Sequence, residues 1–342
     1  MVSVIIPAFN AAAFLAEAVG SVLSQSVEDW ELIIVDDGST DGLTPRLADT
    51  LAAADSRVRA MHTPNRGVSA ARNAGMGAAR GEWLAFLDAD DALRGDALQL
   101  MLEAAGKSGA EIVCAAQLSF RGDIPQPGVA AAGTTVLSPD EAIEGILYQR
   151  RGPDCSACGK LFDRRLAATE PFSEGIRYED LDWFYRVFSL ARRVAWLDAP
   201  LYFYRSNPGS FTHTWTEARA DVLDVCDRLC AWASLRGEGM LAAAADRRLS
   251  AAFNVYGLLA ANPGSATERT QTAGRCLGII RRQRRKSLLN PRVRLKNKLG
   301  ILISYAGGPW LLRRLSRIVY GTGPDQNSVK QSGSSEATEG RR

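Results

Sequence analysis

Three aspartates stand at the end of one apolar segment. Residues 83–87 are apolar and long enough for a buried strand, and Asp88, Asp90 and Asp91 follow them directly. Because a buried strand cannot hold unpaired negative charge, these carboxylates should lie at its C-terminal end, facing solvent or a cation. Asp88 and Asp90 offer the hard oxygen ligands that Mg²⁺ or Mn²⁺ accepts, and such an ion usually keeps positions for substrate phosphates. A solvated loop is the alternative.

The elements that would position these aspartates alternate between strand and helix. β-Rich runs lie at 2–6, 32–35, 58–62, 83–87 and 112–116, and helical patterns between them include 11–25, a segment ending near 54, and 97–105. This alternation predicts an α/β fold with a mostly parallel sheet and helices on both faces. Asp37 would end one strand, and Asp88 and Asp90 another, at the same edge of the sheet. Since open α/β sheets bind ligands at that edge, the convergence favours a ligand site over a solvated loop.

A second pair of acids stands at the start of a predicted helix. Apolar residues at 181, 184, 187, 188 and 191 define a helical stripe, which places Glu179 and Asp180 in the first turn. The helix dipole and free N–H groups favour carboxylates there, so simple capping is the alternative to a chemical role. Downstream, 194–197 and 201–205 predict two strands. The pattern from 216 to 285 is helical and Ala-rich, with no evident chemistry.

The charge is distributed unevenly along the 342 residues. Residues 271–320 contain thirteen Lys and Arg and no Asp or Glu, whereas residues 1–270 contain 25 basic and 35 acidic side chains. A helix beginning at Gly308-Pro309 would have an apolar face and an arginine face, as interfacial helices on anionic membranes do. The apolar face would contain Leu311, Leu312, Leu315, Ile318 and Val319, and the other face Arg313, Arg314 and Arg317. A solvated helix packed on the domain is the alternative, and the apolar run is too short to span a bilayer.

The N-terminus and the cysteines indicate a cytoplasmic protein. The chain start has no basic n-region and only a short apolar run, which is a poor signal peptide. Six cysteines in a chain of this length do not make a disulfide framework. Cys155 and Cys158 have metal-pair spacing, but only His62 and His213 exist to complete a zinc site, so we expect free thiols. With the basic stretch, we expect a peripheral location on the inner face of the cell membrane.

Five stretches together resemble the inverting nucleotide-sugar glycosyltransferases of family 2, which have the GT-A fold. In the family's order they are Val4-Ile5-Ile6-Pro7-Ala8-Phe9-Asn10, Val35-Asp36-Asp37-Gly38-Ser39, the segment 67–75, Phe86-Leu87-Asp88-Ala89-Asp90-Asp91 and Tyr178-Glu179-Asp180. The resemblance covers residues 1 to about 205. The predicted organisation is a nucleotide-sugar-binding half at 1–118, an acceptor-side half with the base at 119–215, a helical segment at 216–290, a basic membrane-associating segment at 291–320 and a disordered tail at 321–342.

The resemblance implies roles on the donor side. Pro7, Ala8 and Phe9 would border the nucleobase of a nucleotide-diphospho-sugar. Asp37 would accept a hydrogen bond from a uracil-like N–H, which favours UDP. Asp88 would face the ribose and the metal.

It also implies how the reaction proceeds. Asp90 would be the principal ligand of Mn²⁺ or Mg²⁺ at the diphosphate, Asp180 the catalytic base with Glu179 beside it, and Arg72 a contact of the diphosphate or of the acids. Direct displacement by a hydroxyl acceptor inverts the anomeric centre. The acceptor would be a growing cell-surface polysaccharide, an exopolysaccharide or a lipid-linked glycan. Some members place a His near the metal, but His213 comes late in this chain and is left out of the site.

Proteins of other classes fit the sequence less well. A haloacid-dehalogenase-type phosphatase expects Thr or Val where this chain has Ala92, and its Asp-x-Asp on the first strand instead of the fourth. A dinucleotide oxidoreductase needs a Gly-rich turn after the first strand, and residues 9–13 lack it. A non-catalytic binding protein with the same fold stays open. No nucleic-acid partner is expected, although the basic stretch would give one a strongly salt-dependent affinity.

Overall fold

The computed structural model describes residues 1–125, 133–206, 216–261 and 267–320. Its strands are β1 Val2–Ala8, β2 Trp30–Asp36, β3 Val58–His62, β4 Trp83–Phe86, β5 Ala92–Leu93, β6 Ile112–Phe120, β7 Thr134–Leu137, β8 Lys160–Asp163 and β9 Val194–Arg205. Its α-helices are α1 Leu15–Leu23, α2 Thr44–Ala54, α3 Val68–Ala78, α4 Ala97–Ser108, α5 Pro139–Leu147, α6 Arg164–Ala167, α7 Glu179–Phe188, α8 Asp221–Ser234, α9 Glu238–Ala261, α10 Thr267–Leu289, α11 Leu295–Ala306 and α12 Gly308–Tyr320. His213 and the predicted disordered tail at 321–342 lie outside the described residues.

One mixed sheet forms the centre of the fold. Its strand order is β3-β2-β1-β4-β8-β6-β9-β5, and β7 pairs with β9. The pairs β3-β2, β2-β1 and β1-β4 are parallel, as the alternation of strands and helices predicts. β8 is antiparallel to both β4 and β6, while β6 and β9 again run parallel. The predicted α/β class with helices flanking the sheet is therefore confirmed, and the antiparallel pairs belong to its second half.

The register of the parallel strands brings the candidate site together. Ala8 of β1 lies opposite Asp36 of β2, and Ile5 lies opposite Phe86 of β4. Both faces of β1 and β2 are buried, which explains their nearly continuous apolar sequence. The chain therefore leaves β1, β2 and β4 at the same edge of the sheet, and the loops that follow share that edge.

Two helices begin later than their sequence patterns suggest, because their first residues build a shared loop. Asn10 has a φ of 51°, its backbone N–H donates to Ser39 Oγ at 2.9 Å, and its Oδ1 accepts from Thr40 N at 2.8 Å. Ala11 N donates to Thr44 Oγ1 at 2.8 Å. These bonds compete with the first helical turn, so α1 begins after Ala11 and α2 begins only at Thr44.

The prediction of separate strands at 194–197 and 201–205 is wrong, because β9 is one continuous strand. Its pairing with β6 shifts register between Ala115 and Gln117, where Ala116 lies opposite Pro200. Such a bulge absorbs extra residues without ending a strand.

The C-terminal helices continue the core of the sheet. Buried Leu229 of α8, Val255 of α9 and Ile279 of α10 belong to the same hydrophobic cluster as the strands. No described helix has both the length and the apolar character to cross a membrane. All six cysteines are free thiols, as predicted. The proposed segment boundaries at 118, 215 and 290 stay a prediction.

Helix α12 begins at Gly308, as predicted, and the rest of the protein covers part of its apolar face. Leu312 is buried, and the Tyr256 hydroxyl of α9 donates to the Pro309 carbonyl at 3.1 Å. α12 thus packs on α9. Protein thus covers Leu312 of the predicted membrane face, whereas Ile318 of the same face is exposed, and contact of this helix with a membrane stays a prediction.

Candidate active site

A cleft of about 490 Å³ opens at the carboxyl ends of β1, β2 and β4. Among its lining residues are Pro7, Ala8, Phe9, Asp37, Arg72, Asp88, Asp90 and Glu179. The structure thus brings together the residues predicted for the nucleobase, the diphosphate and the cation. The remaining candidate, Asp180, is joined to the cleft through Arg72.

Asp37 is buried at the end of β2 and organises the loop before α3. Its Oδ1 accepts from Arg66 N at 2.9 Å, and its Oδ2 accepts from Gly67 N at 2.7 Å. Gly67 has a φ of 90°, a conformation that side chains rarely adopt, so a glycine suits this turn. A carboxylate has about four acceptor positions. Two of these are engaged by backbone, and the others can accept from a ligand in the cleft.

Arg72 connects three carboxylates from distant parts of the sequence. Its Nη1 donates to Glu179 Oε1 at 3.0 Å and to Asp180 Oδ1 at 2.9 Å, and its Nη2 donates to Asp88 Oδ1 at 3.0 Å. The Arg72 side chain is only 3% exposed and lies over the Phe172 ring. Burial alone would lower its pKa, but Asp180 and Asp88 hold the pKa of Arg72 above its ordinary value. Arg72 was predicted to contact either the diphosphate or the acids, and the structure shows its contact with the acids.

Glu179 and Asp180 occupy the first turn of α7, as predicted. The residue before them, Tyr178, has a φ of 58°, and no side chain caps this end. Burial raises the pKa of Asp180 to about 7, Arg72 opposes that rise, and the charges of Glu179 and Asp88 add to it. A carboxyl group that titrates near neutral pH suits a general base.

The loop after β4 turns one of its three acids inward. Asp91 is buried, against the expectation that all three face solvent or a cation. Its Oδ2 accepts from the Tyr202 hydroxyl at 2.5 Å and its Oδ1 from Arg205 N at 2.7 Å. Burial, with the charge of Asp88, raises the pKa of Asp91 to about 7. Arg205 also donates to the Asp90 carbonyl at 2.8 Å and to Glu17 at 2.5 Å.

Tyr202 and Arg205 are positioning residues that the sequence reasoning missed. Both lie on β9, next to the edge strand β5, and together they fix the backbone of the Asp88–Asp91 loop. A signal for them exists in retrospect. A third acid directly after an Asp-x-Asp pattern requires a partner if it is buried, and the aromatic run ending in Arg205 supplies two.

The donor atoms of the cleft fit a hard divalent cation. Asp88 and Asp90 are both partly exposed and line the cleft. Within the described ranges, no group of three or more His, Cys, Asp or Glu side chains could hold a metal by protein ligands alone. Mg²⁺ and Mn²⁺ sites that bridge phosphates use one or two carboxylates, with phosphate and water as the other ligands. Two carboxylates beside an open cleft therefore suit a cation that arrives with a phosphate ligand.

Sequence comparisons connect this site with known proteins. The model of glycosyl transferase family 2 matches residues 3–169. The chain is 34% identical over 231 residues to EpsJ of Bacillus subtilis, an uncharacterized glycosyltransferase. The aligned residues cover 62% of this chain and 63% of EpsJ. It is 45% identical over 112 residues to the succinoglycan biosynthesis protein ExoO of Rhizobium meliloti, covering 32% of this chain and 31% of ExoO. The chain thus spans less than two thirds of the length of either relative.

Solved structures share the fold across nearly the whole chain. A fragment of S. aureus TarS in complex with UDP-GlcNAc superimposes with a TM-score of 0.68 at 19% identity, covering 93% of this chain and 91% of that one. The mannosyltransferase PcManGT from Pyrobaculum calidifontis, in complex with GDP-Man and Mn²⁺, gives a TM-score of 0.52 at 17% identity, covering 94% and 86%. The predicted GT-A fold with its C-terminal helical segment is confirmed.

Proposed function

The chain belongs to glycosyltransferase family 2 through residues 3–169, and from this premise we propose that it moves a sugar from a nucleotide-diphosphate donor to a hydroxyl acceptor with inversion. The observation that carries the proposal is the guanidinium of Arg72, which links Asp88 of the donor cleft to the candidate base Asp180. A transferase of this type needs both groups within one site, because the diphosphate leaves the anomeric carbon that the deprotonated acceptor hydroxyl attacks.

We assign the nucleotide of the donor to the cleft at the strand ends. The half-exposed ring of Phe9, beside Pro7 and Ala8, offers an apolar surface for a base. The unengaged acceptor positions of Asp37 suit an N–H such as that of uracil. A uridine nucleotide is further favoured because TarS, which shares the fold, is in complex with UDP-GlcNAc.

Asp88 and Asp90 would hold Mn²⁺ or Mg²⁺ in this cleft. When bound, such a cation neutralises the negative charge that develops on a departing diphosphate. The charge of the lining supports the assignment, since an unaccompanied diphosphate would meet one guanidinium and several carboxylates. The carboxylates are Asp37, Asp88, Asp90 and Glu179. PcManGT, whose complex contains Mn²⁺, adds support by analogy.

Asp180 would remove the proton of the acceptor hydroxyl as that oxygen attacks the anomeric carbon from the face opposite the diphosphate. One base and one displacement produce inversion. Such a base typically contributes about 10²- to 10⁴-fold to the rate. Arg72 orients the carboxylate, and Glu179 shares the same guanidinium nitrogen. Glu179 also raises the pKa of Asp180 toward the working pH.

The acceptor would be a growing surface polysaccharide, an exopolysaccharide or a lipid-linked glycan, presented at an anionic membrane surface. The name of ExoO, a succinoglycan biosynthesis protein, supports polysaccharide assembly. Helix α11 supports membrane proximity, because Leu295, Leu299 and Leu302 form an exposed stripe at helical spacing, with Lys296 and Lys298 beside it. We therefore propose that α11, instead of α12, carries the peripheral contact with the inner face of the membrane.

A donor screen tests the proposal. Purified full-length protein is incubated with Mn²⁺ and UDP-, GDP- and TDP-sugars, and release of nucleoside diphosphate is measured. We expect release from a UDP-sugar that disappears when EDTA removes the cation. NMR of the product formed with an added hydroxyl acceptor should show the inverted anomer. Nucleotide binding with no turnover for any donor or acceptor would instead favour a non-catalytic binding protein.

A further inference from the structure

A second cavity, of about 470 Å³, lies in the helical segment for which the sequence indicated no chemistry. It is bounded by α9, α11 and α12 and reaches Tyr178 at the start of α7. Its charged lining residues are all cationic: Arg219, Arg247, Arg294 and Lys296. Among the described residues, no Asp or Glu lines this cavity. We call it the basic cavity.

Two arginines of the basic cavity, Arg247 and Arg294, form no ion pair with any residue that the structure describes. Arg247 makes no hydrogen bond or ion pair to any residue that the structure describes. Arg294 donates from Nη2 to Ser250 Oγ at 3.0 Å, and its buried Nε has no hydrogen-bond partner in the described part of the chain. Burial lowers the pKa of Arg294, the charge of Asp246 opposes that shift, and the charge of Arg247 adds to it. The next arginine on α9, Arg248, differs because it forms an ion pair with Asp227.

The carboxylates nearest to the basic cavity do not reverse its charge. Asp246 is fully buried, and its Oδ1 accepts from Asn297 Nδ2 at 2.7 Å. Burial raises the pKa of Asp246, which reduces its tendency to carry charge. Asp221 acts on the pKa of Tyr178, and burial raises its own pKa as well. The cavity keeps an excess of positive charge.

The basic cavity and the donor cleft meet at the start of α7. Tyr178 lines the basic cavity, and the next residue, Glu179, lines the donor cleft. Cys155 is a residue on which charges from both regions act. Its pKa is raised mainly by burial, but the charges of both Arg247 and Asp180 also act on it. Asp180 is the next residue of the same helical turn, and Arg72 joins it to the donor cleft.

The other side of the basic cavity is apolar and leads to the surface. Val222, Phe253, Ile303 and Leu315 contribute to its lining. Leu299 lines it too, and the same side chain is 57% exposed as part of the α11 stripe. A continuous apolar path thus connects the cavity with the face of α11.

We propose that the basic cavity binds the acceptor as a phosphate-bearing amphiphile. The phosphate contacts Arg247 and Arg294, the apolar chain leaves over Leu299 onto α11, and the polar end points toward Asp180. Arginine suits this contact because its planar guanidinium group can donate to two phosphate oxygens at once. The assignment deepens the proposed transferase function and rests on it, since an acceptor has a meaning only for a transferase.

Calorimetric titration of the full-length protein, without donor or Mn²⁺, tests the assignment. The probe is dodecyl phosphate below its micelle concentration, compared with inorganic diphosphate and dodecyl maltoside. We expect dodecyl phosphate to bind at least about tenfold more tightly than either, because only it engages both the guanidinium groups and the apolar path. Equal binding of inorganic diphosphate would mean a free phosphate site, and equal binding of dodecyl maltoside an apolar site; either overturns the proposal.

Arg247→Gln is the decisive variant, since this arginine has no hydrogen bond or ion pair with the part of the chain that the structure describes. We expect it to weaken dodecyl phosphate binding by at least about tenfold, and Arg247→Gln/Arg294→Gln to weaken it further. The matched control is Arg46→Gln, which removes the same charge from an exposed position on α2. This variant should bind dodecyl phosphate like wild type. An unchanged affinity in Arg247→Gln would overturn the proposal.

The same variants separate this assignment from the transferase proposal. Thermal unfolding and UDP binding with Mn²⁺ should be unchanged in Arg247→Gln, which shows that the fold and the donor cleft are intact. If wild type binds dodecyl phosphate as expected but never turns over a nucleotide sugar, the transferase proposal fails and the amphiphile site stands as a binding site. If wild type turns over the donor but does not prefer dodecyl phosphate, only the acceptor assignment fails.

Discussion

The donor cleft and the basic cavity have similar volumes, about 490 and 470 Å³, but opposite charge. The donor cleft collects carboxylates at the ends of parallel strands and contains one guanidinium, which is already shared by three acids. The basic cavity collects guanidinium groups from packed helices. We therefore expect phosphate to enter the first with a cation and the second without one. The difference predicts metal-dependent binding in the donor cleft and metal-independent, salt-sensitive binding in the basic cavity.

The largest expected effect comes from removing a carboxylate of the donor cleft. Asp90→Ala should abolish Mn²⁺-dependent turnover and leave dodecyl phosphate binding unchanged, because the side chain belongs to the acid-rich side only. Turnover at saturating Mn²⁺ and the unfolding midpoint are the measurements. Activity within a few-fold of wild type would break the comparison, since the acid-rich cleft would then bind its diphosphate without this cation ligand.

Asp180→Asn should lower kcat by about 10²- to 10⁴-fold while KM for the donor changes little, because a base acts in the transition state and not in donor binding. Steady-state kinetics with a saturating acceptor give both numbers. Glu179→Gln is the matched variant in the same helical turn and should be milder. If both variants lose nucleotide binding equally, these acids belong to the donor cleft as structural or metal groups.

The dependence on pH should follow Asp180. Its pKa, raised to about 7 by burial, means that the carboxylate is lost as the pH falls below about 7, so kcat/KM should drop about tenfold per pH unit on that side. The free energy of unfolding should depend on pH in the opposite direction. The contribution of Asp180 to stability is present below its ordinary pKa near 3.8 and is lost as the pH rises toward 7. A kcat/KM profile that is flat from about pH 5.5 to 8 would contradict the assignment of the base.

The smallest expected effect concerns the surface next to the basic cavity. Full-length protein should co-sediment with anionic but not neutral vesicles, less so at high salt, and Leu295→Gln/Leu302→Gln should reduce the bound fraction a few-fold. Leu43→Gln/Leu235→Gln removes two exposed leucines far from α11 in sequence and is the matched control. Equal sedimentation of the two double variants would contradict the proposed contact between α11 and the membrane.

The donor cleft could be predicted from sequence because short segments determine it. Parallel strands place their carboxyl ends at one edge, so Asp37, Asp88 and Asp90 converge once the strands are recognised. Even there, pairings over long sequence separations escaped prediction. The contact of Asp91 with Tyr202 spans 111 residues, and nothing in the local sequence of Asp91 indicates that it turns inward.

The basic cavity could not be predicted, for a related physical reason. Its arginines lie in an Ala-rich helical pattern and in the linker before α11, where each one alone reads as a solvated surface charge. They become a site only because α9 and α11 pack with Arg247 and Arg294 facing the same space. Likewise, the alternation of apolar and charged residues in α12 identified an amphipathic helix correctly but could not say whether protein or lipid covers Leu312.

The shared guanidinium of Arg72 also makes protons and cations thermodynamically linked ligands. The charge of Asp88 helps to keep the pKa of Asp180 high. A divalent ion that engages Asp88 offsets that charge, so it should release a proton from Asp180, and by reciprocity an ionised Asp180 should increase the affinity for the ion by the same factor. Loading of the donor with its cation would thereby prime the base before any acceptor arrives. Saturating Mn²⁺ should accordingly move the acid limb of the kcat/KM profile to lower pH.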